Sequence, residues 1–263
     1  MLACDRQLAP RCLQQHPFLR RCYSSPVTMM HAVARVGGVV CCTFLGAVVW
    51  SLFLSFIAIG ATPLVLAVSY ADWPKAVEVL AAAGASVDAP CMGLTPLMLA
   101  VNFGRADATR ALLLAGASIE AQTENGATAL HVAAMRDSLV MVEMLVAAGA
   151  SLEAKSHEGG HEGVTPLHHA AHEGHRVAVE ALLAAGASLE AHMENRETPL
   201  HVAAQGGHVE VIEALVRAGA SLEAQTEDGE TPLHAAAVRG HTKAIYSLAF
   251  AGANLEARCK PQP

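Results

Sequence analysis

Thr198-Pro199-Leu200-His201-Val202-Ala203-Ala204, followed by Gly206-Gly207-His208, by Glu213-Ala214-Leu215-Val216 and by Gly219-Ala220-Ser221-Leu222-Glu223-Ala224, is the most complete copy of a unit that recurs along this chain of 263 residues. Its opening threonine returns at Thr62, Thr95, Thr128, Thr165, Thr198 and Thr231, in steps of 33, 33, 37, 33 and 33 residues. A fixed period of this length means a stack of one supersecondary unit, each copy too small to bury its own apolar face. Within the copy, Thr198 suits a helix N-cap, and Pro199 suits the first turn, where its missing N–H has no intrahelical partner. Gly206-Gly207 predicts the end of that short helix. Val211, Ile212, Leu215 and Val216 mark the buried stripe of a second helix, and Gly219 falls where a left-handed residue closes it. Leu222 to Glu230 then carries the chain to the next threonine. The expectation is an all-α repeat solenoid.

These steps strongly resemble the ankyrin repeat, over about six repeats and residues 60–262. The resemblance implies stacked helix-turn-helix units with β-hairpin fingers, at about 60–92, 93–125, 126–162, 163–195, 196–228 and 229–262. It also implies that fingers and first helices line a concave face that binds proteins. The histidine of the Thr-Pro-Leu-His step is implied to hydrogen-bond within and between units, a role that fits His168, His201 and His234, with His131 in a Thr128-Ala129-Leu130-His131 variant. The outer units depart from the pattern. The first has Val65 for the histidine and an extra residue at Trp73-Pro74, and the last puts Tyr246 and Phe250 where its predecessor has Glu213 and Arg217. Two readings of those aromatics stand open: packing against the tail Arg258 to Pro263, or a patch for a partner or a second copy.

The first sixty residues are of another kind. Val36 to Ile59 is 24 residues without a charge, long enough to span a bilayer as a hydrophobic N-terminal helix. A basic leader at 1–35 precedes this transmembrane candidate at 36–60. Arg6, Arg11, Arg20, Arg21 and Arg35 against Asp5 give +4 there, while twelve basic and 23 acidic side chains downstream give −11, together the −7 of the whole chain. The first reading is a single-pass membrane protein, with Trp50, Phe53 and Phe56 in the span and the arginines on the cytoplasmic or matrix side. The alternatives leave the repeats soluble. They are a secretory signal starting at Met29 or Met30, a mitochondrial presequence over residues 1–25, and a degenerate capping repeat opening at Thr28-Met29-Met30-His31 in a cytoplasmic protein. Five of seven cysteines lie in this segment, leaving Cys91 and Cys259 in the repeats, so no disulfide framework is implied.

The 37-residue step carries a four-residue insertion within Lys155–Val164 that spells His157-Glu158-Gly159-Gly160-His161, the zinc-peptidase string. That chemistry needs both histidines on one helical face, and two glycines at a fingertip disfavour a helix. With His168, His169, His172 and His175 nearby, a histidine-rich metal site at the 155–175 finger, using His157 and His161, is the alternative to a metal-free finger. His157, His161, His169, His172 and His192 lie outside the repeat pattern and, if gathered, would make a pH-sensitive patch. No phosphate loop, nucleophile elbow or kinase signature occurs, so no catalytic residue and no cofactor is expected.

Acidic residues gather in the predicted fingers: Glu124, Glu158, Glu162, Glu194, Glu197, Glu227, Asp228 and Glu230, opposed there by Lys155 and Arg196. A row of them attracts basic segments and repels nucleic acid. Glu120, Glu153, Glu190, Glu223 and Glu256, with Asp88 in the first unit, add one carboxylate per unit at a fixed place. The functional expectation is a non-enzymatic scaffold or adaptor, tethered to a membrane, binding a protein with a basic segment through Arg196 and the finger carboxylates. A self-associating repeat protein is the further alternative.

Overall fold

The computed structural model describes residues 61–70, 73–158 and 161–260, all within one compact unit. The leader, the apolar stretch at 36–60 and every reading placed on them lie outside the described residues. Twelve helices follow in six pairs among the described residues: α1 (Pro63–Tyr70) and α2 (Pro74–Ala82), α3 (Pro96–Asn102) and α4 (Ala106–Leu114), α5 (Ala129–Met135) and α6 (Leu139–Ala147). After a ribbon of β1 (Ser156–Glu158) and β2 (His161–Val164) come α7 (Pro166–Glu173) and α8 (Arg176–Ala184), α9 (Pro199–Gly206) and α10 (Val209–Ala218), and α11 (Pro232–Val238) and α12 (Thr242–Phe250). First helices pack on first helices from α1 through α11, and second helices on second helices from α2 through α12. This is an all-α repeat solenoid.

The opening threonine starts each first helix by capping it. Thr62 and Thr95 accept the N–H of Val65 and Met98 on their hydroxyls, both at 3.3 Å. From Thr128 onward the cap closes both ways. The hydroxyl receives the third helical N–H, and the histidine at that position receives the threonine N–H on Nδ1, at 3.1–3.3 Å. At the other end of α9, Gly206 is the last helical residue and Gly207 takes the left-handed cap with φ 70°. Leu97, Leu130, Leu167 and Leu200 on first helices and Leu112, Leu145, Leu182, Leu215 and Leu248 on second helices have essentially no exposure, so one apolar column runs through the stack. Alanines at 0% exposure between them let the helices approach closely.

Among the described residues only the 37-residue unit builds paired strands, because its four extra residues lengthen the finger enough for a second rung. The other fingers are tight turns, closed by Thr123 N–H to Ala127 O, Met193 N–H to Glu197 O and Thr226 N–H to Glu230 O, each at 3.0 Å. Each turn needs a left-handed residue. Gly126 (φ 75°) and Gly229 (φ 77°) supply it, and Arg196 (φ 64°) does so against the preference of a side-chain-bearing residue. The tail joins the row of fingers: Lys260 N–H donates to Asp228 O at 2.9 Å and its Nζ to Glu227 O at 2.7 Å. Tyr246 and Phe250 remain 76% and 97% exposed, so Arg258–Lys260 does not cover them, contrary to the tail-packing reading for that part of the tail; residues 261–263 lie outside the described residues.

Candidate interaction surface

The one-per-unit carboxylates belong to the stack. Asp88 accepts the backbone N–H of Ser118 at 2.9 Å, and Glu120, Glu153, Glu190 and Glu223 accept those of Ser151, Ser188, Ser221 and Asn254 at 2.8 Å. Each is an acidic acceptor on a backbone donor of the next unit, a charge-assisted link. The glutamates at this place are therefore inter-unit staples. Nothing in the sequence of a single unit shows this, because the partner lies a whole repeat away.

The histidines staple a second level. Since Nδ1 of His131, His168 and His201 accepts a threonine N–H, the proton sits on Nε2, which donates to Val164 O, Glu197 O and Glu230 O of the following unit at 3.1, 3.2 and 3.1 Å. His175, His208 and His241 reach back instead, donating from Nε2 to Met135 O, His172 O and Gln205 O at 3.0, 2.8 and 3.0 Å. Burial pulls His168 down to about 4, with His169 and His192 adding to the fall and the bond to Glu197 opposing it. His169 falls to about 4 by burial, helped by His172 and opposed by Glu173, and burial also lowers His201. His169 anchors the long finger: its Nε2 lies 3.2 Å from Ser156 Oγ, whose hydroxyl donates to Val164 O at 3.2 Å, and its ring meets His131 edge-on at 5.3 Å.

The fingertips hang on one another through their backbones. His157 N–H donates to Asn125 O at 2.7 Å, Glu194 N–H to Glu162 O at 2.9 Å, and Glu227 N–H to Asn195 O at 3.1 Å. This ladder stacks the finger acids into a row. Glu124, Glu162, Glu194, Glu227 and Asp228 have exposed side chains that make no hydrogen bond or ion pair among the described residues. His161, Glu162, Glu194, Asn195 and Glu227 line a cleft of about 310 Å³ between successive tips. Arg196 is exposed beside them. Glu197 and Glu230 are half-buried, and their carbonyls close the turns and receive the histidine staples; the Glu197 carboxylate is drawn towards α9 by Gln205 Nε2 at 3.4 Å. The side chain of Glu158 lies outside the described residues.

His157 and His161 do not converge. In the ribbon His157 stands opposite Glu162 and His161 opposite Glu158, so the two imidazoles alternate to opposite faces. His157 lies over Gly126 of the preceding finger, whereas His161 turns to the cleft with the following ones. The string is strand, not helix, and among the described residues no three metal-ligating side chains are grouped. Likewise, among the described residues no helix is long and apolar enough to cross a membrane.

A family model described as ankyrin repeats matches the chain in three copies, at residues 29–123, 109–193 and 188–259. The first copy begins ahead of the first described helix and overlaps the apolar stretch. No curated protein matches the chain.

Proposed function

The chain belongs to the ankyrin repeat family, whose repeats are generally protein–protein interaction modules, and on that premise we propose that it is a non-enzymatic adaptor whose acidic row of fingertips holds a basic segment of a partner protein. The observation that carries this reading is the cleft of Glu162, Glu194 and Glu227, whose carboxylates are exposed and unpaired while the backbone ladder fixes their spacing. Fixed like charges facing water raise the potential that a flexible basic segment meets, and they lose nothing to rearrangement when it arrives. Asn195 and His161 add polar groups for backbone contacts.

The test is fluorescence anisotropy of a labelled arginine-containing peptide with the full chain. Changing Glu162, Glu194 and Glu227 together to lysine is expected to abolish binding without shifting the unfolding temperature, and wild-type affinity is expected to fall with added salt. Equal binding by wild type and variant would remove the proposal.

The proposal includes a tether through residues 36–59, supported by 24 uncharged residues in sequence. The family match from residue 29 across the same stretch supports a repeat-derived segment instead. Carbonate extraction of the full chain separates the two: retention in the membrane pellet supports the tether, and release supports the segment.

A further inference from the structure

We infer that the groove between α10 and α12 is a two-fold interface for a second copy of this chain. The groove has a volume of about 840 Å³, with Val209, Val216 and Ala249 among its apolar lining. Tyr246 and Phe250 stand up from its α12 side with 76% and 97% of their surface in water, and no residue through Lys260 covers them. A surface that presents both protruding aromatics and an apolar socket can receive a copy of itself, which is what an isologous interface requires.

The repeat fixes what such a pairing would bring together. Side chains 33 residues apart hold equivalent places on the two helices that flank the groove, because neighbouring units stack in register. A two-fold axis running along the groove lays α10 of one copy over α12 of the other, and so sets residue n against residue n + 33. That operation puts Glu210 against Lys243, Glu213 against Tyr246 and Arg217 against Phe250. The first is an ion pair, the second a carboxylate accepting from a phenol, and the third a guanidinium over an aromatic face. All six side chains are exposed, and of them Arg217 already lies 3.8 Å from Glu180 of its own chain, a contact the interface would share or replace.

The two neighbouring grooves fail the same operation. Between α8 and α10 it sets Glu180 against Glu213, and between α6 and α8, where the step is 37 residues, it sets Glu143 against Glu180. Like charges repel in both. Between α4 and α6 it gives one ion pair, Arg110 with Glu143, but leaves Leu114 against Ala147 and Asp107 against Val140. Between α2 and α4, where the extra residue at Trp73-Pro74 makes the step 32 residues, it pairs Lys75 with Asp107 and Glu78 with Arg110 but sets Ala82 against Leu114; the last groove adds to its ion pair the protruding rings of Tyr246 and Phe250.

Sedimentation velocity of the full chain tests this. The wild type is expected to run as a dimer. Phe250→Glu is expected to raise the dimer dissociation constant at least about 30-fold with an unchanged unfolding temperature, since the ring touches little within its own chain. Glu210→Lys and Lys243→Glu should each weaken the dimer, and the two together in one chain should restore it, because the two-fold then re-forms the ion pair with its charges exchanged. The finger variant with Glu162, Glu194 and Glu227 changed to lysine should remain dimeric, which keeps this inference separate from the peptide site. A monomeric wild type, a dimer indifferent to Phe250→Glu, or a charge exchange that fails to restore it would each overturn the inference.

Discussion

Acid should weaken this stack through its buried histidines, and His168 shows how much. Its ring is buried, Nδ1 takes the Thr165 N–H at 3.3 Å and the Thr165 hydroxyl at 2.8 Å, and Nε2 donates to Glu197 O. A second proton would sit on Nδ1, facing a backbone donor in a dry site. The folded group therefore titrates at about 4 instead of 6.5. Between those values the unfolded chain binds a proton that the folded chain refuses, so stability is complete above 6.5, declines as pH falls, and reaches its floor below 4. At about 1.4 kcal/mol per pH unit, His168 carries about 3 kcal/mol of this dependence, and His169, also lowered to about 4, carries a similar amount. Their sum is a large part of the 5–15 kcal/mol, roughly, that a domain possesses. Urea unfolding followed by circular dichroism from pH 7.5 to 4.5 is the assay, on wild type and on His168→Gln. The amide can accept at its oxygen and donate at its nitrogen without titrating, so the variant should be about 1–2 kcal/mol weaker at pH 7.5 and should close or reverse that gap by pH 4.5. Parallel decline of the two proteins would refute the assignment, because the acidic side chains that titrate in the same range are common to both.

Gly206→Ala should destabilise by about 1–2 kcal/mol although alanine favours helix, because the new methyl would lie 2.5 Å from the His208 ring and displace it from its 2.8 Å bond to His172 O. In a His208→Ala background the same change should be neutral or stabilising, as thermal unfolding of the four proteins would show. Glu190→Ala should lower stability by about 1 kcal/mol through loss of the Ser221 link, whereas Glu256→Ala, with no such link among the described residues, should leave the unfolding temperature in place. Arg196→Gly should raise stability by about 1 kcal/mol by relieving the left-handed backbone at φ 64°, again read from the denaturation midpoint.

What the sequence displays well is whatever repeats within one unit. The threonine caps, the apolar stripe Val211, Ile212 and Leu215, and the glycine stops follow from local chemistry, and each is where the pattern puts it. Relations between units are less visible. Glu120 and Ser151 sit 31 residues apart in two loops, and only their joint recurrence, at Glu190 with Ser221 and Glu223 with Asn254, hints that they touch. The cost of Arg196 was legible in the same way, since Gly93, Gly126, Gly163 and Gly229 occupy its place in the other fingers, all with positive φ. The role of His169 was not, because it depends on Ser156 in an insertion that no other unit has.

Sorting the carboxylates by what the fold asks of them separates structure from function. Asp88, Glu120, Glu153, Glu190 and Glu223 are committed to the stack, so their recurrence says nothing about a ligand. The carboxylates of Glu162, Glu194 and Glu227 accept nothing among the described residues, and like charges held side by side oppose folding slightly. The proposed basic partner would account for their presence. The fingers that carry them and the second helices that carry Tyr246 and Phe250 are different elements, so the two surfaces can be occupied together. A dimer would then present two acidic rows in one particle, and a ligand with two linked basic segments would bind about 100-fold or more tightly than one with a single segment. Phe250→Glu should erase that enhancement while leaving single-segment affinity unchanged; an enhancement that survives the substitution would show that both segments are held by one chain.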